Sequence, residues 1–79
     1  MKKVFLHIRK SDNDEWTNLD KSYARVPNVG DYILSDHNSP IYHVRLVILC
    51  PSESDVDAEV FAVEEDSENV IKMNTSQGL

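Results

Sequence analysis

A chain of 79 residues with fourteen acidic against eight basic side chains and a net charge of −6 is one small domain. It repels phosphate backbones and has too few residues to enclose a large catalytic cavity. A hydrophobic fraction of 41% and a charged fraction of 28% exclude wholesale disorder.

Residues 3–9 alternate Val4, Leu6 and Ile8 with Phe5, His7 and Arg9, the period of a half-buried strand with one anomaly, Phe5, on its polar side. His7, Arg9 and Lys10 break the apolar stretch too early for a signal peptide, and no run of ~20 apolar residues exists to span a bilayer. The single cysteine cannot form an internal disulfide. A cytoplasmic protein is therefore expected, with no membrane partner and no direct nucleic-acid contact.

Residues 11–20 are polar and rich in Asp and Asn, which favour turns by bonding their own backbone. Trp16, Leu19 and Tyr23 have the spacing of one helix face, with Asp12 as a cap, so one short helix within residues 12–24 is one reading. Thr17, Asn18, Asp20 and Ser22 are weak helix formers, and the favoured reading is a long hairpin connection. Pro27 then ends a strand, Gly30 supplies a permissive backbone position, and Asp31 bonds the turn before Tyr32, Ile33 and Leu34 resume as a strand.

Residues 36–40 close a hairpin onto the longest strand-favouring run of the chain, residues 40–50. There Tyr42, Val44, Leu46, Ile48 and Cys50 share one parity and are assigned to the core face. The other parity begins polar with His43 and Arg45 and turns apolar with Val47 and Leu49, which requires a barrel corner or another chain to cover it. Residues 51–56 close a second hairpin onto the far side of this run. Val60, Phe61, Ala62 and Val63 mark a strand flanked by acids, residues 70–73 add a short last strand, and a frayed tail begins at about residue 74.

These segments predict an all-β domain spanning residues 1–79, a small antiparallel meander or barrel of five or six strands. Val26, Pro27, Asn28, Val29, Gly30, Asp31, Tyr32 and Ile33, followed by Ile41, Tyr42, His43, Val44 and Val47, resemble the pattern of small Src-homology-3-like barrels. In that pattern a proline and a Gly-Asp turn introduce a strand that pairs with a Tyr-x-Val strand. The chain is similar in this to uncharacterised small proteins carried by bacteria, phages and integron gene cassettes. The resemblance implies a fold and carries over no activity, because such barrels serve unrelated functions.

Candidate chemistry is sparse. His7, His37, His43 and Cys50 are of metal-ligating type but lack ligand spacing, and Asp12, Asn13 and Asp14 open like a calcium loop that Trp16 and a missing glycine then break. Cys50 is placed by parity in the core rather than as a nucleophile. The carboxylates Asp55, Asp57, Glu59, Glu64, Glu65, Asp66 and Glu68 read as a solvated rim. No catalytic residue, metal or cofactor is expected. The function read from the sequence is a non-enzymatic protein-binding or adaptor module, a homodimer, with Phe5, Val47, Leu49 and Phe61 as interface candidates. The alternative is an acidic mimic that blocks a partner's nucleic-acid-binding surface.

Overall fold

The computed structural model describes residues 1–75. Among the described residues five strands and one helix follow one another, β1 (Lys2–Arg9), β2 (Thr17–Tyr23), β3 (Tyr32–Leu34), β4 (Ile41–Leu49), β5 (Ala58–Glu65) and α1 (Ser67–Thr75). The strands form a single sheet in the order β2-β1-β5-β4-β3, curled into a half-barrel. Neighbours pair antiparallel except β1 and β5, which pair parallel and join the first hairpin to the β3-β4-β5 meander. The domain is thus the small, mostly strand fold that the patterning predicts, with five strands, but its sheet is mixed rather than wholly antiparallel, because β1 pairs parallel with β5.

Alternation along β1 and β5 decides which face is inside. Val4, Leu6 and Ile8 lie opposite Ala58, Val60 and Ala62 in register, and Val4, Leu6, Ala58, Val60 and Ala62 have no exposed area. Val44 completes this aliphatic core, with Leu19, Tyr23, Ile33, Tyr42 and Val47 packed around it. The curl is held at its open side by the Tyr23 hydroxyl, which donates to the Leu34 carbonyl at 2.6 Å and so ties β2 to β3. Burial raises the Tyr23 pKa above its ordinary value, because the apolar surroundings disfavour a phenolate.

The turn into β3 is built around Asp31. Its Oδ2 accepts from the Asn28 backbone N–H and from the Arg25 guanidinium, each at 2.8 Å, and these bonds hold its pKa below the ordinary carboxylate value. Gly30 sits at φ +95°, the left-handed region that disfavours a side chain, and its N–H donates to the Val44 carbonyl at 2.9 Å. The Val44 N–H in turn donates to the Asp31 carbonyl at 2.9 Å, so the turn is fastened to the middle of β4.

Three expectations are corrected. Residues 17–23 are a strand rather than a connection or a helix, paired along their length with β1. Leu19, Lys21 and Tyr23 form its half-buried parity, and the lysine masks the alternation. Second, residues 70–73 are helical rather than extended. Asp66 caps α1, its Oδ1 accepting from the Glu68 N–H at 2.9 Å, with Glu68 in the first turn and Lys72 in the last, both favourable to the helix dipole. The tail expected from about residue 74 still belongs to α1 at residues 74 and 75, and its remainder lies outside the described residues.

The third correction concerns β4. Between Val44 and Leu46 the pairing with β5 slips by one residue, a β-bulge at Arg45. A bulge sets two residues against one and reverses the parity beyond it. Tyr42 and Val44 face the core as expected, but Leu46 and Ile48 turn outward and are 48% and 44% exposed, while Val47 packs on the core. Cys50 is half-buried at the end of the strand, not a core residue.

Candidate functional site

The sheet face turned away from the core carries its own apolar cluster. Phe5 and His7 of β1 stand beside Glu59 and Phe61 of β5, and Leu46 and Ile48 of β4 lie opposite Phe61 and Glu59 on the other side. The His7 ring stacks on Phe61 at a centroid distance of 4.3 Å and meets the edge of Phe5 at 4.5 Å. Trp16, from the loop before β2, closes on Phe61 edge-on at 5.4 Å, and the Arg9 guanidinium lies 4.2 Å over the Trp16 ring. Such offset and edge contacts, with a cation over a ring, are favourable beyond the area they bury.

His7 is the polar centre of this cluster and is 8% exposed. A buried ring nitrogen without a partner would be costly. His7 avoids this at both nitrogens, with Nδ1 2.6 Å from Asn18 Oδ1 and Nε2 2.9 Å from Glu59 Oε1. Three neighbouring strands are therefore linked through one imidazole. Further along the face Tyr32 stacks on His43 at 4.9 Å, and Glu65 lies 3.6 Å from His43 and 3.7 Å from Arg45. Leu34, 42% exposed, and Tyr32, 39% exposed, extend the apolar area onto β3.

Of the four interface candidates, the structure brings Phe5 and Phe61 together on this outer face. Val47 and Leu49 fall on the inner side, because the bulge reverses their parity, and Leu49 stands 73% exposed at its margin. Leu46 and Ile48 occupy the positions that parity alone gave to Val47 and Leu49. Trp16, Leu46, Ile48 and Tyr32 were not among the candidates. Leu46 and Ile48 reach the face through the bulge, which the residues of β4 do not announce, and Trp16 reaches it from the loop before β2.

The remaining chemistry is dispersed. His7, His43 and His37 lie on different elements, and no group of three His, Cys, Asp or Glu side chains among the described residues could hold a metal ion. The carboxylates between Glu53 and Glu68 do not form one surface. Asp57 Oδ2 accepts from the Lys3 N–H at 2.7 Å, Asp66 caps α1, Glu59 and Glu65 face outward, and Glu64 lies beside Tyr42 on the inner side. Burial, together with the charges of Glu64 and Asp36, raises the Tyr42 pKa. A cleft of about 560 Å³ between Lys10, Ser11, Asp14, Glu64, Glu65 and Asp66 is mainly acidic. No helix among the described residues is long and apolar enough to cross a membrane.

Comparison with protein-family models, with curated proteins and with solved structures finds no match for this chain.

Proposed function

We propose that this chain is a non-enzymatic protein-binding module of the cytoplasm, which docks partner proteins, a second copy of itself among them, on the outer face of its sheet. The observation that supports this is the apolar surface beside Phe61, where Leu46 and Ile48 are 48% and 44% exposed, with Leu34 and Tyr32, 42% and 39% exposed, further along the same face on β3. Contiguous apolar patches beyond a few hundred Å² are uncommon on isolated soluble domains and mark interaction sites. Aromatic and Arg side chains at the centre, here Phe5, Trp16, Phe61 and Arg9, are the residue types that anchor protein interfaces. The acidic-mimic alternative has only the net charge to support it.

A photo-cross-linking amino acid at Ile48, introduced into the full chain and irradiated in its native host, tests the reading. Protein adducts are expected from Ile48 and not from Asn38, which is exposed in the turn between β3 and β4. The same absence of adducts at both positions would remove the docking function.

A further inference from the structure

We infer that the partner that fits this face is a second copy of the chain, packed face to face about a twofold axis near Phe61 and Leu46. The inference rests on the docking function proposed above and names its occupant.

Charge selects the partner. By register the outer face holds two cations, Lys3 and Arg9, and three carboxylates, Asp20, Glu59 and Glu65, and the bulge residue Arg45 adds a third cation, 3.7 Å from Glu65. It is neutral, so the whole net charge of −6 lies on the rest of the molecule. Two copies that approach by any other surface bring excess negative charge together, whereas two outer faces do not. A basic protein would be drawn to the acidic remainder instead. The outer face is thus the part of this chain that tolerates another copy, and it is also the apolar part.

Size is adequate as well. Five strands, the longest of nine residues, make up the face. With strands ~4.8 Å apart and a rise of ~3.3 Å per residue, they outline roughly 600 Å² before side-chain relief is counted. A standard interface takes about 800 Å² from each partner, so the face, convex because the sheet curls around its core, supplies a contact at the small end of specific interfaces. In an isologous contact each residue meets the partner's surface reciprocally. Leu46 and Ile48, projecting on one side of Phe61, and the Trp16 and Phe5 rings on the other then interleave as two sheets do in a sandwich.

Light scattering coupled to size exclusion, at low and at high salt, decides it with three chains. Wild type is expected to weigh about twice 9.0 kDa and to dimerise at least as tightly at high salt, since screening weakens only the mutual repulsion of two acidic molecules. Leu46→Glu should be monomeric with an unchanged circular dichroism spectrum, and Leu49→Glu should remain dimeric. Where Leu46→Glu fails to fold, Ile48→Lys replaces it, because Ile48 lies opposite Glu59 and a lysine there has a counter-charge. A monomeric wild type at both salts overturns the inference. If Ile48 nevertheless cross-links to other proteins, the docking function survives and only its occupant is wrong. A dimer broken by Leu49→Glu but not by Leu46→Glu overturns it too, by moving the contact to the inner margin.

Discussion

The centre of the inner face is aliphatic and that of the outer face aromatic, although the two alternate residue by residue along the same strands. On β1, Val4, Leu6 and Ile8 point inward while Phe5 and His7 point outward, and on β5, Ala58, Val60 and Ala62 are set against Glu59 and Phe61. The inner set is small and branched, fills the curl without polar atoms and is closed from water. Outward side chains are larger, carry polar handles and remain partly wet: His7 is satisfied by Asn18 and Glu59, Arg9 lies over Trp16, and Leu46 and Ile48 are about half exposed. Apolar content alone does not separate a core from an interaction surface. The separating feature is whether the apolar groups come with polar groups that can be satisfied before a partner arrives.

The largest expected contrast between the faces is Leu6→Ala against Leu46→Ala. Leu6 is fully buried, so its truncation leaves a cavity and should cost ~2–5 kcal/mol. In a domain of this size that is most of the stability. Leu46→Ala, measured by urea unfolding at dilutions where the chain is monomeric, should cost less than ~1 kcal/mol. Equal losses in the two would mean that Leu46 is a core residue, and the two-face description would fall.

A smaller effect is expected at the turn that fastens β4 where its parity reverses. Gly30→Val forces a branched side chain into a positive φ and should cost ~1–3 kcal/mol. An added Cβ meets nothing within 4 Å, so the strain at positive φ rather than a Cβ clash drives the loss, which should be seen as faster hydrogen exchange at Val44. Asn28→Ala, by contrast, keeps the backbone N–H and carbonyl that bond Asp31 and should be close to neutral.

The smallest effect is acid sensitivity of the same turn. Asp31 has its pKa lowered from 3.8 by the Asn28 N–H and by Arg25, so its contribution is fully present above that ordinary value and is lost as pH falls toward the lowered one. The Asp31 side chain is 30% exposed and its Arg25 partner 65%, so solvent screens the pair and the effect is modest. A titration followed by NMR should show Asn28 and Gly30 shifting below about pH 4, and Asp31→Asn should abolish that step. An unchanged step in the mutant would assign it to another carboxylate.

Strand positions were legible where the period of two was clean. Residues 3–9, 32–34, 41–49 and 58–65 announce themselves by alternation or by runs of Val, Ile and Tyr, and the Pro27, Gly30 and Asp31 turn by its residue types. β2 was hidden because Lys21 takes an inward-facing position that alternation reserves for an apolar residue, with its long stem doing the covering. α1 was hidden by Val70 and Ile71, strand formers held in a helix by the Asp66 cap. Half of the candidate surface was legible: Phe5 was an anomaly on a polar side, and Phe61 lay off the core. Leu46, Ile48 and Trp16 were not, since a bulge leaves no residue signature of its own and Trp16 reaches the face from a loop.

The parallel pairing of β1 with β5 bears on how fast this chain reaches its native state. Each hairpin can close locally, but the cluster of Val4, Leu6, Val60 and Ala62 exists only once segments separated by most of the chain have met, as the Lys3 bond to Asp57, 54 residues on, records. Loop-closure entropy must be spent before any of that core forms, so non-local topology slows the search. Until then the first hairpin and the later meander each carry part of the aromatic face without an inner layer behind it. The interval before closure is therefore when a sticky surface is least guarded, and refolding yield should fall with protein concentration more steeply for wild type than for Leu46→Glu.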